Sequence, residues 1–304
     1  MSSAYSRGVT AALSTTGLTK TYRTFFGGSR PALRGLTLTV PRGVSFGLIG
    51  PNGAGKTTFI KVLLGVVRPT GGDVQVLGGQ PDDVKVRARI GYLPERMHLP
   101  AALRALDFLR SIATLKSSSP TDAELRASLE RVGLSTGGQR IGTFSKGMRQ
   151  RLGLAAAMLG APDLLILDEP TDGIDPVGRV EVRKLLLEEK ARGATLLLNS
   201  HLLSETERVC DRIGVLHDGA LKLEGSLDDV RRVTTRWQVK FAPGGDTSML
   251  EAAGFVGGLF EGDVDELNAA LDEVRAKGLK LVSLSPDSRD LEQVLSEVMG
   301  GGAS

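Results

Sequence analysis

Residues 36–49 alternate and then stop alternating. Leu36-Thr37-Leu38-Thr39-Val40 puts an apolar side chain at every second position, the pattern of an antiparallel or half-exposed strand, and Pro41-Arg42-Gly43 makes a turn. Val44–Ile49 is apolar almost throughout, which suits a strand buried on both faces of a parallel sheet. Thr57–Leu64 predicts a helix, closed by Gly65 and followed by Pro69. Two more buried strands, Leu164–Leu167 and Thr195–Leu198, alternate with helical spacing. Between them Val182, Leu185, Leu186 and Glu189 share one helical face, and Gly193 supplies the stop. Strand–helix alternation of this kind indicates an α/β domain with a mostly parallel sheet.

From about residue 100 to 160 the pattern is helical instead. Thr121 and Glu124 form a capping box at the head of a helix carrying Leu125, Leu129 and Val132. This stretch reads as a helical lobe inserted into the α/β core. A linker is expected near Gly225–Thr234. Beyond it lie a strand at Arg236–Phe241, a second at Phe255–Phe260, and a helix through Val264, Leu267, Leu271 and Val274. A strand at Leu279–Leu284 and a last helix through Leu291, Val294, Leu295 and Val298 complete a small α+β domain. Met1 to Gly17, rich in Ser, Thr and Ala with Arg7 its one charge, reads as a frayed tail rather than a signal-peptide core. The expected organisation is a tail at 1–12, a main domain at 13–228 with its lobe at about 100–160, and an accessory domain at 235–300.

Composition narrows the class. A hydrophobic fraction of 41% and a charged fraction of 24% rule out disorder of the whole chain, and a net charge of +3 is too small to argue for nucleic acid. The basic pieces Lys85–Arg89 and Arg231-Arg232 lack interleaved aromatics and read as solvated faces. One cysteine, Cys210, excludes an internal disulfide framework and any cysteine-cluster metal site, and points to the cell interior. His98, His201 and His217 show no zinc spacing. No stretch approaches the roughly 20 apolar residues a membrane-spanning helix needs. The 39 glycines are far above ordinary usage and call for tight turns or backbone that approaches a ligand closely.

The chemistry begins at Gly50-Pro51-Asn52-Gly53-Ala54-Gly55-Lys56-Thr57-Thr58, which fits the phosphate-binding pattern G-x-x-x-x-G-K-[ST] between a buried strand and a helix. The glycines let backbone N–H groups wrap phosphates, and the helix N-terminus adds partial positive charge. Lys56 would reach the β- and γ-phosphates, and the Thr57 hydroxyl would ligand Mg²⁺. Leu164–Leu167 then delivers Asp168 and Glu169 to the edge where such sheets bind ligands. Asp168 can hold Mg²⁺ through its water shell, and Glu169 can polarise an attacking water.

Phe144-Ser145-Lys146-Gly147-Met148-Arg149-Gln150-Arg151 resembles the signature sequence of ABC ATPases, and it precedes the Asp168-Glu169 strand as it does there. Ser145 can also cap a helix whose apolar face runs through Met148, Leu152, Ala155 and Leu159, exposing a second positive helix end. The resemblance covers about residues 13–225. It implies a P-loop NTPase core of ABC type with an antiparallel β subdomain and an inserted helical lobe. It further implies ATP and Mg²⁺ as ligands, and head-to-tail pairing in which Ser145 and Gly147 meet the partner's nucleotide. Tyr22 resembles the adenine-stacking aromatic, Asp175 belongs to the loop that crosses the dimer interface, and His201 matches the switch histidine at the γ-phosphate.

Two positions depart from the family. Glu95 stands where a glutamine usually follows an Ile-Gly-Tyr-Leu-Pro type run; a carboxylate remains a good Mg²⁺ ligand. Lys146 replaces the commoner second glycine of the signature and adds a cation near the partner's phosphates. The C-terminal domain is similar to appendages of ABC-2-type exporter ATP-binding subunits, and the Tyr92–Glu95 and Ser145–Arg151 wording resembles exporter and copper-processing subunits. The resemblance implies an ATPase at the cytoplasmic face of the membrane, peripheral, working with a separate transmembrane permease and a second ATP-binding subunit, a homodimer rather than a heterodimer. The alternative is a soluble ABC ATPase acting on DNA or the ribosome. The interval from Lys56 to Ser145 is too short for the long coiled coil of the DNA-repair type, and the chain holds one ATP module where translation-factor types usually hold two. No direct contact with nucleic acid is expected.

Overall fold

In the strands Leu164–Asp168 and Thr195–Asn199 every residue is buried, and successive side chains belong to two different cores. Leu165, Leu167, Leu196 and Leu198 join one; Leu164, Ile166 and Leu197 join the other. A sheet covered on both faces needs such unbroken apolar runs. The computed structural model describes residues 10–23, 28–116, 118–135, 138–200, 202–242, 247–288 and 291–300. They fall into two units, Met1–Ser226 and Leu227–Ser304.

In the first unit the strands are β1 (Ala11–Arg23), β2 (Ser29–Pro41), β3 (Ser45–Ile49), β4 (Gly71–Val76), β5 (Ile90–Leu93), β6 (Leu164–Asp168), β7 (Thr195–Asn199), β8 (Arg212–His217) and β9 (Ala220–Ser226). The helices are α1 (Lys56–Leu63), α2 (Val84–Ala88), α3 (Ala105–Leu115), α4 (Asp122–Arg131), α5 (Lys146–Met158), α6 (Pro176–Ala191) and α7 (Leu203–Val209). Six strands form one sheet in the order β5-β6-β7-β3-β8-β9, parallel except for β9 at the edge. A separate antiparallel sheet has the order β2-β1-β4. Helices α3, α4 and α5 form the lobe, with Leu109, Leu125, Leu129, Leu152 and Ala155 in its core. The capping box is present: Thr121 Oγ1 accepts from the Glu124 N–H, and the Glu124 carboxylate accepts from the Thr121 N–H.

Residues 11–17, expected as part of a frayed tail, are instead the start of β1, the central strand of the antiparallel sheet. Ala12, Leu13 and Leu18 are buried, and Thr15 hides its hydroxyl by accepting from the Leu38 N–H at 3.1 Å. A satisfied threonine costs little to bury, so Ser and Thr do not exclude a core strand.

In the second unit α8 (Leu227–Arg231), β10 (Arg232–Phe241), α9 (Thr247–Ala252), β11 (Phe255–Val256), β12 (Leu259–Glu261), α10 (Val264–Ala276), β13 (Leu281–Ser288) and α11 (Leu291–Gly300) follow in order. The sheet order is β11-β12-β10-β13, all antiparallel. Val239, Phe255, Phe260, Leu267, Leu271 and Val274 form its core, and Trp237 Nε1 donates to the Gly262 carbonyl at 3.0 Å. The single strand expected over 255–260 is a hairpin, because Gly257 and Gly258 both take positive φ (59° and 81°), the geometry of a two-residue turn. The expected linker at 225–234 holds the end of β9, all of α8 and the start of β10, with Val230 of α8 buried.

Candidate active site

Because β3, β6 and β7 run parallel, the residues that follow each of them emerge at one edge of the sheet, where ligands of such sheets bind. After β3 comes the glycine-rich loop, after β6 Glu169, and after β7 Ser200. These residues surround a cleft of about 650 Å³, within the usual range for a small-molecule site. Tyr22, Gly50, Asn52, Gly53, Ala54, Gly55, Lys56, Thr57, Thr58, Glu95 and Glu169 line it, joined by Arg30, Pro31, Ala32, Asp172, Asn199 and Ser200.

The loop is built for close backbone approach. Gly55 caps α1 with φ 108°, and a Cβ there would lie 2.5 Å from the Ala32 carbonyl oxygen, so the position admits only glycine. The Lys56 ammonium donates to the carbonyls of Gly50 (2.6 Å) and Pro51 (3.0 Å), which folds it back over the loop. Burial lowers its pKa, while Asp168, Glu169 and Glu95 pull the other way. Tyr22 is 38% exposed at the rim, with Lys20 Nζ 5.1 Å from its ring centre.

Asp168, the last residue of β6, is buried and accepts a short hydrogen bond from Asn199 Nδ2. Burial raises its pKa, opposed by the Asn199 bond. Burial also raises the Tyr92 phenol, with Asp168 and Glu95 adding to the effect. Glu169 has φ 54°, a left-handed backbone that is uncommon in a residue with a side chain. Its N–H donates to the Asn199 carbonyl at 2.8 Å, and Ser200 Oγ donates to its Oε2 at 3.4 Å.

The other residues singled out from the motifs lie elsewhere. Pro51 belongs to the loop but not to the cleft lining. Ser145 caps α5 by accepting from the Met148 N–H at 3.2 Å, and Gly147 follows in the first turn. Asp175 caps α6, accepting from the Gly178 N–H at 2.9 Å, and that bond holds its carboxyl below the usual range. Lys146 forms an ion pair with Asp172 of the same chain at 2.8 Å. His201 lies outside the described residues.

Asn199 and Gln150 were not legible as site residues. Asn199 ends an apolar strand and shows its role only through Asp168. Gln150 sits inside α5 and donates from Nε2 to the Glu169 carbonyl at 2.8 Å, a contact across 19 residues. Among the described residues no group of three His, Cys, Asp or Glu side chains is placed to hold a metal by itself. A sparse set with one or two carboxylates is what Mg²⁺ uses when substrate phosphates complete its shell. Thr57 on the cleft and the buried Asp168 carboxylate fit that set, as does Glu95.

Residues 33–172 match the ABC transporter family. Over 295 residues, 92% of this chain and 87% of the other, the sequence is 38% identical to an uncharacterised ABC transporter ATP-binding protein of Nostoc sp.. This chain belongs to the ABC transporter ATP-binding proteins. It is an ABC ATPase. A fluoroquinolones export ATP-binding protein of Mycobacterium tuberculosis is 35% identical over 230 residues, covering 75% of this chain and 76% of that one. A solved ATP-binding subunit of an ABC transporter superposes with a TM-score of 0.66 at 33% identity, covering 72% of this chain and 91% of that one. No helix among the described residues of this ABC ATPase is long and apolar enough to cross a membrane.

Proposed function

We propose that this ABC ATPase powers an exporter of the ABC-2 type, docked as a homodimer on the cytoplasmic face of a separate transmembrane permease. The observation that carries the reading is the convergence of the Lys56 loop and the left-handed Glu169 on one cleft, with the buried Asp168 behind its lining and near enough to act on the Lys56 charge. Identity to an export ATP-binding protein supports the direction of transport. In this reading Tyr22 stacks on adenine, and the amides of residues 50–58 with Lys56 hold the phosphates. Thr57, Asp168 and Glu95 are the side chains that would hold Mg²⁺, which when bound neutralises charge on the phosphate oxygens. Glu169 takes the proton of the attacking water, and His201 orients the γ-phosphate. Ser145 and Gly147 present the N-terminus of α5 to the nucleotide of the second copy, and Asp175 belongs to the loop between the two. Closure of the two copies moves the helical lobes, and the groove around Tyr92–His98 passes that motion to the permease.

The experiment is a detergent-solubilised pull-down of tagged protein from its native cells, with partners identified by mass spectrometry. Recovery of a polytopic membrane protein is expected. Recovery of ribosomal or nucleic-acid proteins with no polytopic partner would overturn the transport reading and leave the ATPase chemistry standing.

A further inference from the structure

We infer that Gln150 is a positioning residue for Glu169, acting on the direction of its carboxylate through the backbone; the inference rests on the reading of Glu169 as the general base. A residue with a side chain stays in the left-handed region only where its surroundings hold it there. Glu169 sits at φ 54° and is held from both ends. Its N–H donates to the Asn199 carbonyl at 2.8 Å, which restrains φ. Its carbonyl accepts from the Asp172 N–H at 3.1 Å and from Gln150 Nε2 at 2.8 Å, which restrains ψ.

Two of these bonds are made by backbone and would survive most substitutions. The third depends on one side chain. Gln150 is only 5% exposed and lies on α5, the helix whose first turn carries Ser145 and Gly147. It does not line the cleft. Its amide instead ties the signature helix to the peptide unit that aims the Glu169 carboxylate. Seating of α5 and placement of the base are thereby one event. Loss of the donor would leave ψ of Glu169 held only by the longer Asp172 bond and misdirect the carboxylate, lowering turnover without lowering affinity, as expected when only transition-state geometry is damaged.

The test uses the full chain carrying Gln150→Met, which keeps length and burial but removes the donor, and Gln150→Glu, which keeps a polar group of the same size. Turnover of ATP, KM and the affinity for a fluorescent ATP analogue are measured for each. The expected result is a fall in kcat of about tenfold or more, with KM and analogue affinity within about twofold of wild type. In a Glu169→Gln background Gln150→Met should change residual turnover less than about twofold, because the two residues act as one unit. Unchanged kcat in both variants would overturn the inference, as would a parallel loss of kcat and nucleotide affinity, or a full tenfold loss in the Glu169→Gln background. Failure of the underlying reading is distinguishable: Glu169→Gln alone would then turn over normally.

Discussion

Glu189 of α6 is 3% exposed among Val182, Leu185 and Leu186, yet its carboxylate is fully matched. Arg131 Nη1 reaches Oε1 at 2.6 Å, and Arg192 reaches Oε2 with Nη2 at 2.7 Å and Nε at 2.9 Å. Glu189→Leu keeps the volume and removes both anionic oxygens. Breaking a buried pair from one side costs about 3–5 kcal/mol when the abandoned charge stays buried. Here the abandoned charges are not sealed in. Arg131 and Arg192 are 40% and 37% exposed, Arg131 keeps Glu188 at 3.2 Å, and Arg192 keeps the Pro162 carbonyl at 2.7 Å. Solvent and these partners discount the loss to about 2 kcal/mol. At about 2–4 °C per kcal/mol for a domain of this size, the melting temperature should fall by roughly 4–8 °C. Differential scanning calorimetry measures it, with Glu189→Gln expected to fall less because it can still accept hydrogen bonds. A melting temperature unchanged or raised in Glu189→Leu would refute the reasoning, since it would mean the arginines lose nothing when their shared partner goes.

Thr121→Ala should destabilise the helical lobe by about 1 kcal/mol through loss of the α4 cap, read from urea midpoints. The same box has a pH signature. Hydrogen bonds from the Thr121 backbone and hydroxyl hold the Glu124 carboxyl below its ordinary value. A depressed folded pKa contributes stability above the ordinary value and loses it as pH falls through the folded one. The stability gap between wild type and Glu124→Ala should therefore close on acidification; a gap that stays constant from neutral pH into the acid range would contradict this. Gly91→Ala should cost about 1–3 kcal/mol, because its Cβ would lie 2.1 Å from the Ala157 carbonyl oxygen and force α5 off β5. Wild-type stability in that variant would show that the helix yields freely.

What could be read from the chain and what could not divide along physical lines. The buried parallel strands, the α4 capping box and the loop ahead of α1 were legible because each is encoded by residues adjacent in sequence. The strand β1 was not, since Thr15 is a core residue only by virtue of a hydrogen bond to Leu38, which sits 23 residues away. Gly257 and Gly258 could have announced the hairpin, but the apolar positions on either side read as one run. Lys56, Glu95 and Glu169 come together around the cleft, but Arg30, Pro31 and Ala32 join it because β2 passes close to the loop, a matter of packing. Gln150 stands within the signature sequence, but nothing near it along the chain shows that its amide donates to the Glu169 carbonyl, 19 residues away.

The central claim is that Glu169, aimed from the end of β6, drives hydrolysis in an ATP-closed dimer. The direct measurement is Glu169→Gln, followed by ATP binding, phosphate release and molar mass by light scattering with and without Mg–ATP. The variant should retain ATP, release almost no phosphate and accumulate as a dimer only when nucleotide is present. Near-normal turnover in that variant would contradict the account.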